Sequence, residues 1–224
     1  MKRQTCVTAI LLLSLFTDLV AQPIRLNNET VDSNKVSISV SKINGKKSLR
    51  VVKDSTIKEI DEPTFARLKN IDFKNGTIEV NVLSRLLKTA SPTDRGFIGI
   101  AFRINEDNSK FECIYIRPTN GRAEEQVRRN HSIQYFSYPD FKFFRLRKEN
   151  PEMYESYADM GLDEWIKMRI EVNGKQAKLF LNNNEHPSLI VNDLKHGENA
   201  SGSIGLFVDV GTEGFFSGLK VTQR

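Results

Sequence analysis

Polar side chains are concentrated between Arg117 and Tyr135, and their types suit the binding of a polyhydroxylated ring. Guanidinium and amide groups hold hydroxyls in pairs, and aromatic rings pack against C–H faces. The candidate ligand-binding residues of this run are Arg117, Asn120, Arg122, Arg129, Gln134 and Tyr135. The run therefore predicts a binding site. Its alternative is a network of Arg–Glu ion pairs that holds a long loop against a sheet.

Three further groups in the run could transfer protons, and they are the candidate catalytic residues: Glu124, Glu125 and His131. A carboxylate can act as a general acid or base, and histidine titrates near neutral pH. The same run therefore allows catalysis as an alternative to binding alone.

Two predicted strands would position these groups. In the strand Phe111–Arg117, Tyr115 and Arg117 share one face, because side chains alternate along a strand. Arg103, in the strand Gly96–Ile104, would lie beside them if the two strands pair. Arg103 and Tyr115 complete the predicted ligand-binding set.

Several strands carry small residues and aromatics on the face opposite their aliphatic residues. Gly96–Ile104 places Gly99 there, and Gly202–Val210 places Gly205 and Phe207 there. Small residues let a ligand approach a sheet closely, whereas sandwich interiors also use Gly and Phe. Two interpretations stay open: a ligand-binding face and a second layer of core.

The segment Pro118–Asp163 is long for a connection, and ordered insertions of this length are often functional. It predicts a strand pair, Ser132–Tyr138 and Phe141–Arg147, on long loops at the rim of the sheet. Two stretches could form short helices, Glu124–Asn130 and Pro151–Ala158.

The clearest strand signal is a hairpin over Trp165–Leu181. Apolar and polar residues alternate from Ile166 to Val172, and Asn173-Gly174 supplies a turn that tolerates positive φ. Similar runs recur along the chain, as expected for an all-β fold of two antiparallel sheets.

The first residues have the pattern of a secretory signal peptide. Lys2 and Arg3 precede the apolar run Val7–Phe16, and Ala21 offers a small residue for cleavage before Gln22. The apolar run is short for a membrane span. We therefore expect cleavage near Ala21, a mature chain without a membrane span, and a secreted or periplasmic location. An uncleaved anchor is the alternative.

Charge and cysteine content exclude further classes. The formal net charge is +5, and it falls to +4 without Lys2, Arg3 and Asp18 of residues 1–21. Such a balance is ordinary for a solvated surface, so we expect no nucleic-acid partner. Cys113 is the only cysteine after residue 21, which excludes an internal disulfide. No His–Cys spacing predicts a metal site, and we expect no cofactor.

Several motifs together resemble the concanavalin A-like lectin/glucanase domains, including the laminin-G-like and bacterial keto-disaccharide hydrolase-like domains. The motifs are the Trp165 strand with its Asn173-Gly174 turn, Ala177-Lys-Leu-Phe-Leu, Gly202-Ser-Ile-Gly-Leu, Phe215–Val221, Phe73-Lys-Asn-Gly-Thr-Ile-Glu-Val and Gly96-Phe-Ile-Gly-Ile-Ala-Phe-Arg. The resemblance covers most of Ser48–Thr222. It implies a jelly-roll sandwich of two antiparallel sheets, with a concave face that holds carbohydrate in many relatives.

The best-known enzymes of this fold carry the pattern E-x-D-x-x-E on one strand, and this sequence departs from it. Glu59 and Asp61 match the first two positions, but Thr64 replaces the last carboxylate, and Pro63 would interrupt a central strand. A retaining glycosidase needs two carboxyl groups about 5 Å apart. We therefore interpret the match as coincidental.

Together these features predict a signal peptide over 1–21, an N-terminal segment with a first strand over 22–47, and one jelly-roll domain over 48–224. The leading hypothesis is an exported protein that binds an oligo- or polysaccharide across its concave sheet face and the rim. One alternative is a carbohydrate-active hydrolase or lyase. Another is a structural protein-interaction module.

Overall fold

The computed structural model describes residues 23–224; the predicted signal peptide and its cleavage point at Ala21 lie outside them. The strands are β1 Val31–Asn34, β2 Val36–Ile43, β3 Lys46–Lys53, β4 Phe65–Leu68, β5 Gly76–Leu86, β6 Ile98–Ile104, β7 Phe111–Ile116, β8 Ile133–Tyr138, β9 Glu155–Ser156, β10 Ile166–Asn173, β11 Gln176–Leu181, β12 Leu189–Val191, β13 Ser203–Val208 and β14 Thr212–Gln223. The helices are α1 Pro118–Gly121, α2 Gln126–Asn130 and α3 Phe143–Glu149.

The strands form two antiparallel sheets of seven strands each. The first sheet has the order β1-β4-β13-β6-β7-β8-β9, and the second has the order β12-β11-β10-β5-β14-β3-β2. The predicted all-β jelly-roll sandwich is therefore confirmed. So is the hairpin, because β10 pairs with β11 around the turn at Asn173 and Gly174.

The main core lies between the sheets. Ile98 and Val208, on neighbouring strands of the first sheet, face the second sheet, where their side chains approach Gly214 of β14. A Cβ at Gly214 would lie 2.5 Å from Val208 and 3.1 Å from Ile98, so glycine is needed for the sheets to pack this closely.

The outer face of the first sheet carries a second layer of buried aromatic residues. They are Phe65, Phe111, Tyr115, Phe136 and Phe207, all at most 2% exposed. Their rings contact one another with centroids 5.3–5.8 Å apart. This layer settles the question that the small-and-aromatic pattern left open: most of the outer face is core, and it is not open to solvent along its length.

Two segments, 57–64 and 139–149, are linked beside this aromatic layer. The backbone amide of Phe143 donates to the Asp61 carboxylate at 2.8 Å, and the Lys142 ammonium donates to Glu62 at 2.6 Å. Leu146 of α3 is fully buried in the same apolar cluster.

The prediction of a strand over Phe141–Arg147 was wrong, because most of this stretch belongs to α3. Only Phe141 pairs, through an isolated bridge to Ser137. Both edges of β8 are already used, by β7 and β9. The residues after Lys142 are mostly good helix formers, and Arg145 and Glu149 form an i,i+4 ion pair at 2.8 Å.

The predicted strand over Ser132–Tyr138 and the short helix within Glu124–Asn130 are confirmed as β8 and α2. The stretch Pro151–Ala158 contains no helix and instead provides the short strand β9. No helix within 23–224 is both long enough and apolar enough to cross a bilayer.

Candidate functional site

A pocket of about 510 Å³ lies at one edge of the first sheet, where several neighbouring strands begin or end. Its lining at this edge includes Phe97 before β6, Arg117 after β7, His131 before β8 and Asp209 after β13. Antiparallel pairing brings these positions together, because Ile98 pairs with both Ile116 and Val208. We call this cavity the Arg117 pocket.

Arg117 is the best-fixed side chain of the pocket. Its guanidinium donates to the Tyr115 hydroxyl at 2.8 Å, to Gln134 at 3.1 Å and to Glu155 at 3.2 Å. It also donates to the backbone carbonyl of His131 at 3.0 Å. Arg117 is only 4% exposed. These contacts fix one planar cation in the wall of the pocket.

Glu155 neutralises this part of the wall. Its buried carboxylate accepts hydrogen bonds from Arg117 and from Arg147, and it lies 3.0 Å from Nδ1 of His131. Burial lowers the pKa of His131, and Arg147 and Arg117 add to that effect, while Glu155 opposes it. The imidazole therefore lies against the Glu155 carboxylate at the border of the pocket.

A second carboxylate pair, Asp61 and Asp209, forms another wall. Asp209 accepts from the Lys53 ammonium at 2.6 Å and from the backbone amide of Asp61 at 2.8 Å. The Lys53–Asp209 ion pair is almost fully buried, at 3% side-chain exposure for each partner. Lys53 belongs to the second sheet, so this pair connects the two layers beneath the pocket.

The acidity of Asp61, in this wall, is strongly shifted. Burial raises its pKa to about 7, and the nearby negative charge of Asp209 acts in the same direction. The hydrogen bond from Phe143 and the charges of Arg117 and Lys142 partly oppose these effects. A carboxyl that titrates near neutral pH in a pocket is a candidate general acid or base.

Aromatic rings supply the apolar part of the lining. Phe97 and Tyr115 meet edge to face with centroids 6.0 Å apart. The Arg117 guanidinium carbon lies 5.0 Å from the Tyr115 ring centre and 5.4 Å from that of Phe143. Apolar surface with a few fixed polar groups is the usual composition of a small-molecule site.

The structure brings part of the predicted site together. Five of the predicted residues line the Arg117 pocket: Tyr115, Arg117, Asn120, Glu125 and His131. Gln134 is fully buried outside the lining, and its side-chain oxygen accepts a hydrogen bond from Arg117. Glu124 is exposed and is not among the lining residues.

Arg103 and Tyr135 point elsewhere. β6 and β7 do pair, but the antiparallel register places Arg103 at the opposite end from Arg117, where it donates to the carbonyls of Lys74, Gly174 and Gly197. Tyr135 lies on the sandwich side of β8, pairs with Ile114, and donates to Glu112 at 2.6 Å. The expectation that Arg103 lies beside Tyr115 and Arg117 was wrong, and Tyr135 does not line the Arg117 pocket.

Arg122 and Arg129 lie on the rim outside the pocket. Arg122 forms ion pairs with Asp159 at 2.8 Å and Glu164 at 2.6 Å, as the ion-pair alternative predicts for this loop. Arg129 donates to the Tyr157 hydroxyl at 2.7 Å. Neither residue lines the Arg117 pocket.

The sequence interpretation missed Lys53, Asp61 and Asp209. Asp61 lies in the Glu59–Thr64 stretch, which matches the glucanase pattern only in part, so the sequence assigned Asp61 no role. Asp209 directly follows β13 and continues its alternation on the face of Phe207, and this pattern could have identified it. Lys53 gave none, because its partner is 156 positions away. Within 23–224, no group of three or more His, Cys, Asp or Glu side chains is placed to hold a metal ion.

Three solved structures have the same fold across most of both chains. The carbohydrate-binding module CBM66 from Bacillus subtilis has a TM-score of 0.52 and 12% identity, covering 84% of this chain and 95% of its own. A putative glycosyl hydrolase from Parabacteroides distasonis has a TM-score of 0.51 and 13% identity, covering 89% and 93%. A protein of unknown function with a galectin-like fold from Bacillus subtilis has a TM-score of 0.53 and 12% identity, covering 92% and 97%.

At such identities these likenesses show the fold alone. No curated protein matches the sequence significantly. Residues 26–222, however, match the family described as the 3-keto-alpha-glucoside-1,2-lyase-like domain. This match confirms the resemblance to the keto-disaccharide hydrolase-like jelly rolls, and it spans both sheets and every residue of the Arg117 pocket. The chain therefore belongs to the 3-keto-alpha-glucoside-1,2-lyase-like domain family.

Proposed function

We propose that the protein is exported and binds a sugar unit of a glycoside in the Arg117 pocket. The observation that carries the proposal is the pocket itself, which combines aromatic rings with the fixed Arg117 guanidinium and the Asp61 carboxyl. Planar donors for hydroxyls beside apolar rings are the groups that a sugar requires. Membership of a family named for glucosides supports the same ligand class.

The proposed location of binding is narrower than the whole outer face. The buried aromatic layer occupies the middle of that face, so we place the sugar at the sheet edge, where Phe97 remains half-buried and lines the cavity. Pockets of about 300–1,000 Å³ suit small ligands, and the volume of about 510 Å³ falls within that range.

Titration calorimetry with a panel of mono- and disaccharide glucosides tests the binding. We expect Phe97→Ala to weaken the affinity about tenfold or more, because the variant loses about 1.4 kcal/mol of apolar contact. Phe144→Ala is the matched control, since Phe144 is 59% exposed on α3 and does not line the pocket. Equal affinities for the wild type and the Phe97→Ala variant would contradict the proposed location.

Export is tested separately by expressing the full chain in a secreting bacterial host. Mass spectrometry of the processed protein should show a new N-terminus near Gln22. Retention of residues 1–21 in the membrane fraction would favour the uncleaved anchor.

The raised pKa of Asp61 favours a second candidate function, the elimination reaction that the family name describes. In a 3-keto-glucoside, the ketone at C3 acidifies the proton at C2. We propose that the Asp61 carboxylate removes this proton, and that the C2–H electron pair forms the C1=C2 bond as the C1–O bond breaks. The departing oxygen then takes a proton and leaves as an alcohol. A base with a pKa near the working pH suits this step.

Turnover of a 3-keto-glucoside by the purified protein tests this candidate. Asp61→Asn should lower kcat by about a hundredfold or more, as expected for loss of a general base, with little change in sugar affinity. The wild-type rate should rise as the pH passes about 7, because the base acts in its deprotonated form. Asp163→Asn, an exposed aspartate outside the pocket, is the control. Full activity of Asp61→Asn would exclude this role for Asp61.

A further inference from the structure

Within residues 23–224, Arg95 and Arg128 of the Arg117 pocket have no carboxylate partner, whereas the other two arginines of its lining have one. Arg117 and Arg147 are both neutralised by Glu155. Arg95 and Arg128 line the same cavity, but within residues 23–224 neither lies within ion-pairing distance of an acidic side chain.

Neutral acceptors hold both guanidiniums in place. Arg95 donates through Nη1 to the backbone carbonyls of Pro92 at 2.6 Å and Asp94 at 3.0 Å. Arg128 donates through Nε to the Asn120 side chain at 3.0 Å. These bonds use only part of the donor capacity of each group, since a guanidinium has five N–H donors.

The short helix α1 brings the two arginines together. The amide of Thr119 donates to the Arg95 carbonyl at 3.3 Å, and the Thr119 hydroxyl lies 3.4 Å from Nη2 of Arg128. Asn120 was predicted to contact the ligand. Its side-chain oxygen accepts a hydrogen bond from Arg128, and its side-chain NH2 group donates one to the His131 carbonyl. Asn120 is therefore a positioning residue for Arg128.

The acidic lining does not cancel these charges by direct contact. Asp94 accepts from Ser91, and Glu125 is exposed and forms no ion pair in the described chain. Burial lowers the pKa of Arg95, and the positive charges of Arg128 and Arg117 act in the same direction, against Asp94 and Glu125. Like charges held close together are stabilised when an anion binds between them.

We propose that Arg95 and Arg128 bind an anionic substituent, a carboxylate or a sulfate, on the sugar that occupies the Arg117 pocket. This inference rests on the proposed function and specifies its ligand class: acidic sugars in preference to neutral ones. Planar guanidiniums bind such groups through paired, charge-assisted hydrogen bonds, which are stronger than neutral ones.

Calorimetry with three matched probes tests the inference: a glucoside, the corresponding glucuronide and the glucoside 6-sulfate. The wild type should bind at least one acidic probe about tenfold more tightly than the neutral one, a difference of about 1.4 kcal/mol. Arg95→Gln and Arg128→Gln should each reduce that preference, and added salt should do the same. The glucuronide and sulfate arms show which anion the site takes.

Two further variants make the result specific. Arg128→Lys keeps the charge but loses the planar fork, so it should retain part of the preference. Arg145→Gln removes an arginine from the exposed Arg145–Glu149 pair, outside the pocket, and should leave the preference unchanged. Equal or weaker binding of both acidic probes by the wild type, with the neutral probe bound, overturns this inference alone. Failure of all three probes to bind overturns the proposed function with it.

Discussion

Asp61 and Asp209 are neighbours in the same wall, but among the side chains of residues 23–224 only Asp209 has a buried cation as its ion-pair partner. Lys53 donates a hydrogen bond to Asp209 at 2.6 Å, whereas the Asp61 carboxylate accepts a hydrogen bond from the backbone amide of Phe143. Asp61 is therefore the member of the pair whose charged form costs free energy in the folded protein. Burial and the charge of Asp209 raise its pKa to about 7, from an ordinary value of 3.8.

This shift predicts a pH dependence of stability. Between pH 3.8 and about 7 the folded protein holds a proton on Asp61 that the unfolded chain has lost, so stability falls as the pH rises through this interval. The loss is about 1.4 kcal/mol per pH unit. Asp61→Asn removes this pH dependence, so from pH 5 to pH 8 the free energy of unfolding of the variant should improve relative to that of the wild type by about 1 kcal/mol or more. Urea titrations at both pH values measure this, with Asp163→Asn as control; a constant difference between variant and wild type contradicts it.

The two tyrosines of the predicted site provide another residue-scale prediction. Tyr135→Phe leaves the fully buried Glu112 without its phenol donor, so the free energy of unfolding should fall by about 1–3 kcal/mol. Sugar affinity should not change, since Tyr135 lies outside the Arg117 pocket. Tyr115→Phe should instead weaken binding, because Arg117 loses the hydroxyl that orients it. Thermal melts and calorimetry on the pair distinguish these effects; weaker binding by Tyr135→Phe would contradict the assignment.

At the scale of elements, Glu155 joins parts of the rim that are separate in sequence. It lies on β9 and contacts Arg117 after β7, Arg147 on α3 and His131 before β8. Burial works to raise the pKa of Glu155, but the hydrogen bond from Arg147 and the charges of both arginines outweigh it, and the pKa is lowered overall. One carboxylate on β9 thus connects α3 to the adjacent ends of β7 and β8.

Glu155→Gln should therefore be strongly destabilising. Removing one partner of a buried ion pair costs about 3–5 kcal/mol, and two guanidiniums here would lose their common anion. Because the folded pKa lies below the ordinary value of 4.5, the stabilisation is present above that pH and is lost as the pH falls through the folded value. Denaturant titrations at pH 7 and pH 3 should show the penalty shrinking at the lower pH. Glu149→Gln, in an exposed pair, should cost at most about 0.5 kcal/mol; a similar cost for both variants would contradict the connecting role of Glu155.

At the scale of the whole molecule, the Lys53–Asp209 pair connects the two sheets beneath the pocket. Lys53 ends β3 of the second sheet, and Asp209 follows β13 of the first. Asp209 also accepts the amide of Asp61 at 2.8 Å, so the same group positions the candidate base. The integrity of the sandwich and that of the pocket are therefore linked.

Lys53→Met should lower the free energy of unfolding by about 3–5 kcal/mol, because it leaves the buried Asp209 charge unpaired. The double variant Lys53→Met/Asp209→Asn removes both charges and should recover part of this loss. A thermodynamic cycle from denaturant titrations measures the coupling. If Asp209→Asn lowers the free energy of unfolding as much in the Lys53→Met variant as in the wild type, the two side chains do not act as a pair.

Much of the architecture was predictable because strand patterns are local. Alternation over Ile166–Val172 with the Asn173-Gly174 turn specifies a hairpin within a few residues. The strand prediction over Phe141–Arg147 was wrong because the structure of this stretch depends on contacts that are distant in the sequence. Its alternation is compatible with a strand, and only the occupied edges of β8 exclude that pairing.

For the candidate site, local patterns in the amino-acid sequence predicted most of the strands and the placement of Tyr115 and Arg117 on one face, because both depend on neighbours in the chain. The jelly-roll class was implied by the family resemblance. The tertiary structure decided which polar groups share a cavity. Asp61 and Asp209 are 148 positions apart, and they meet through the pairing order of the first sheet. The acidity of Asp61 arises from burial and from that long-range neighbour, so it exists only once both layers have formed.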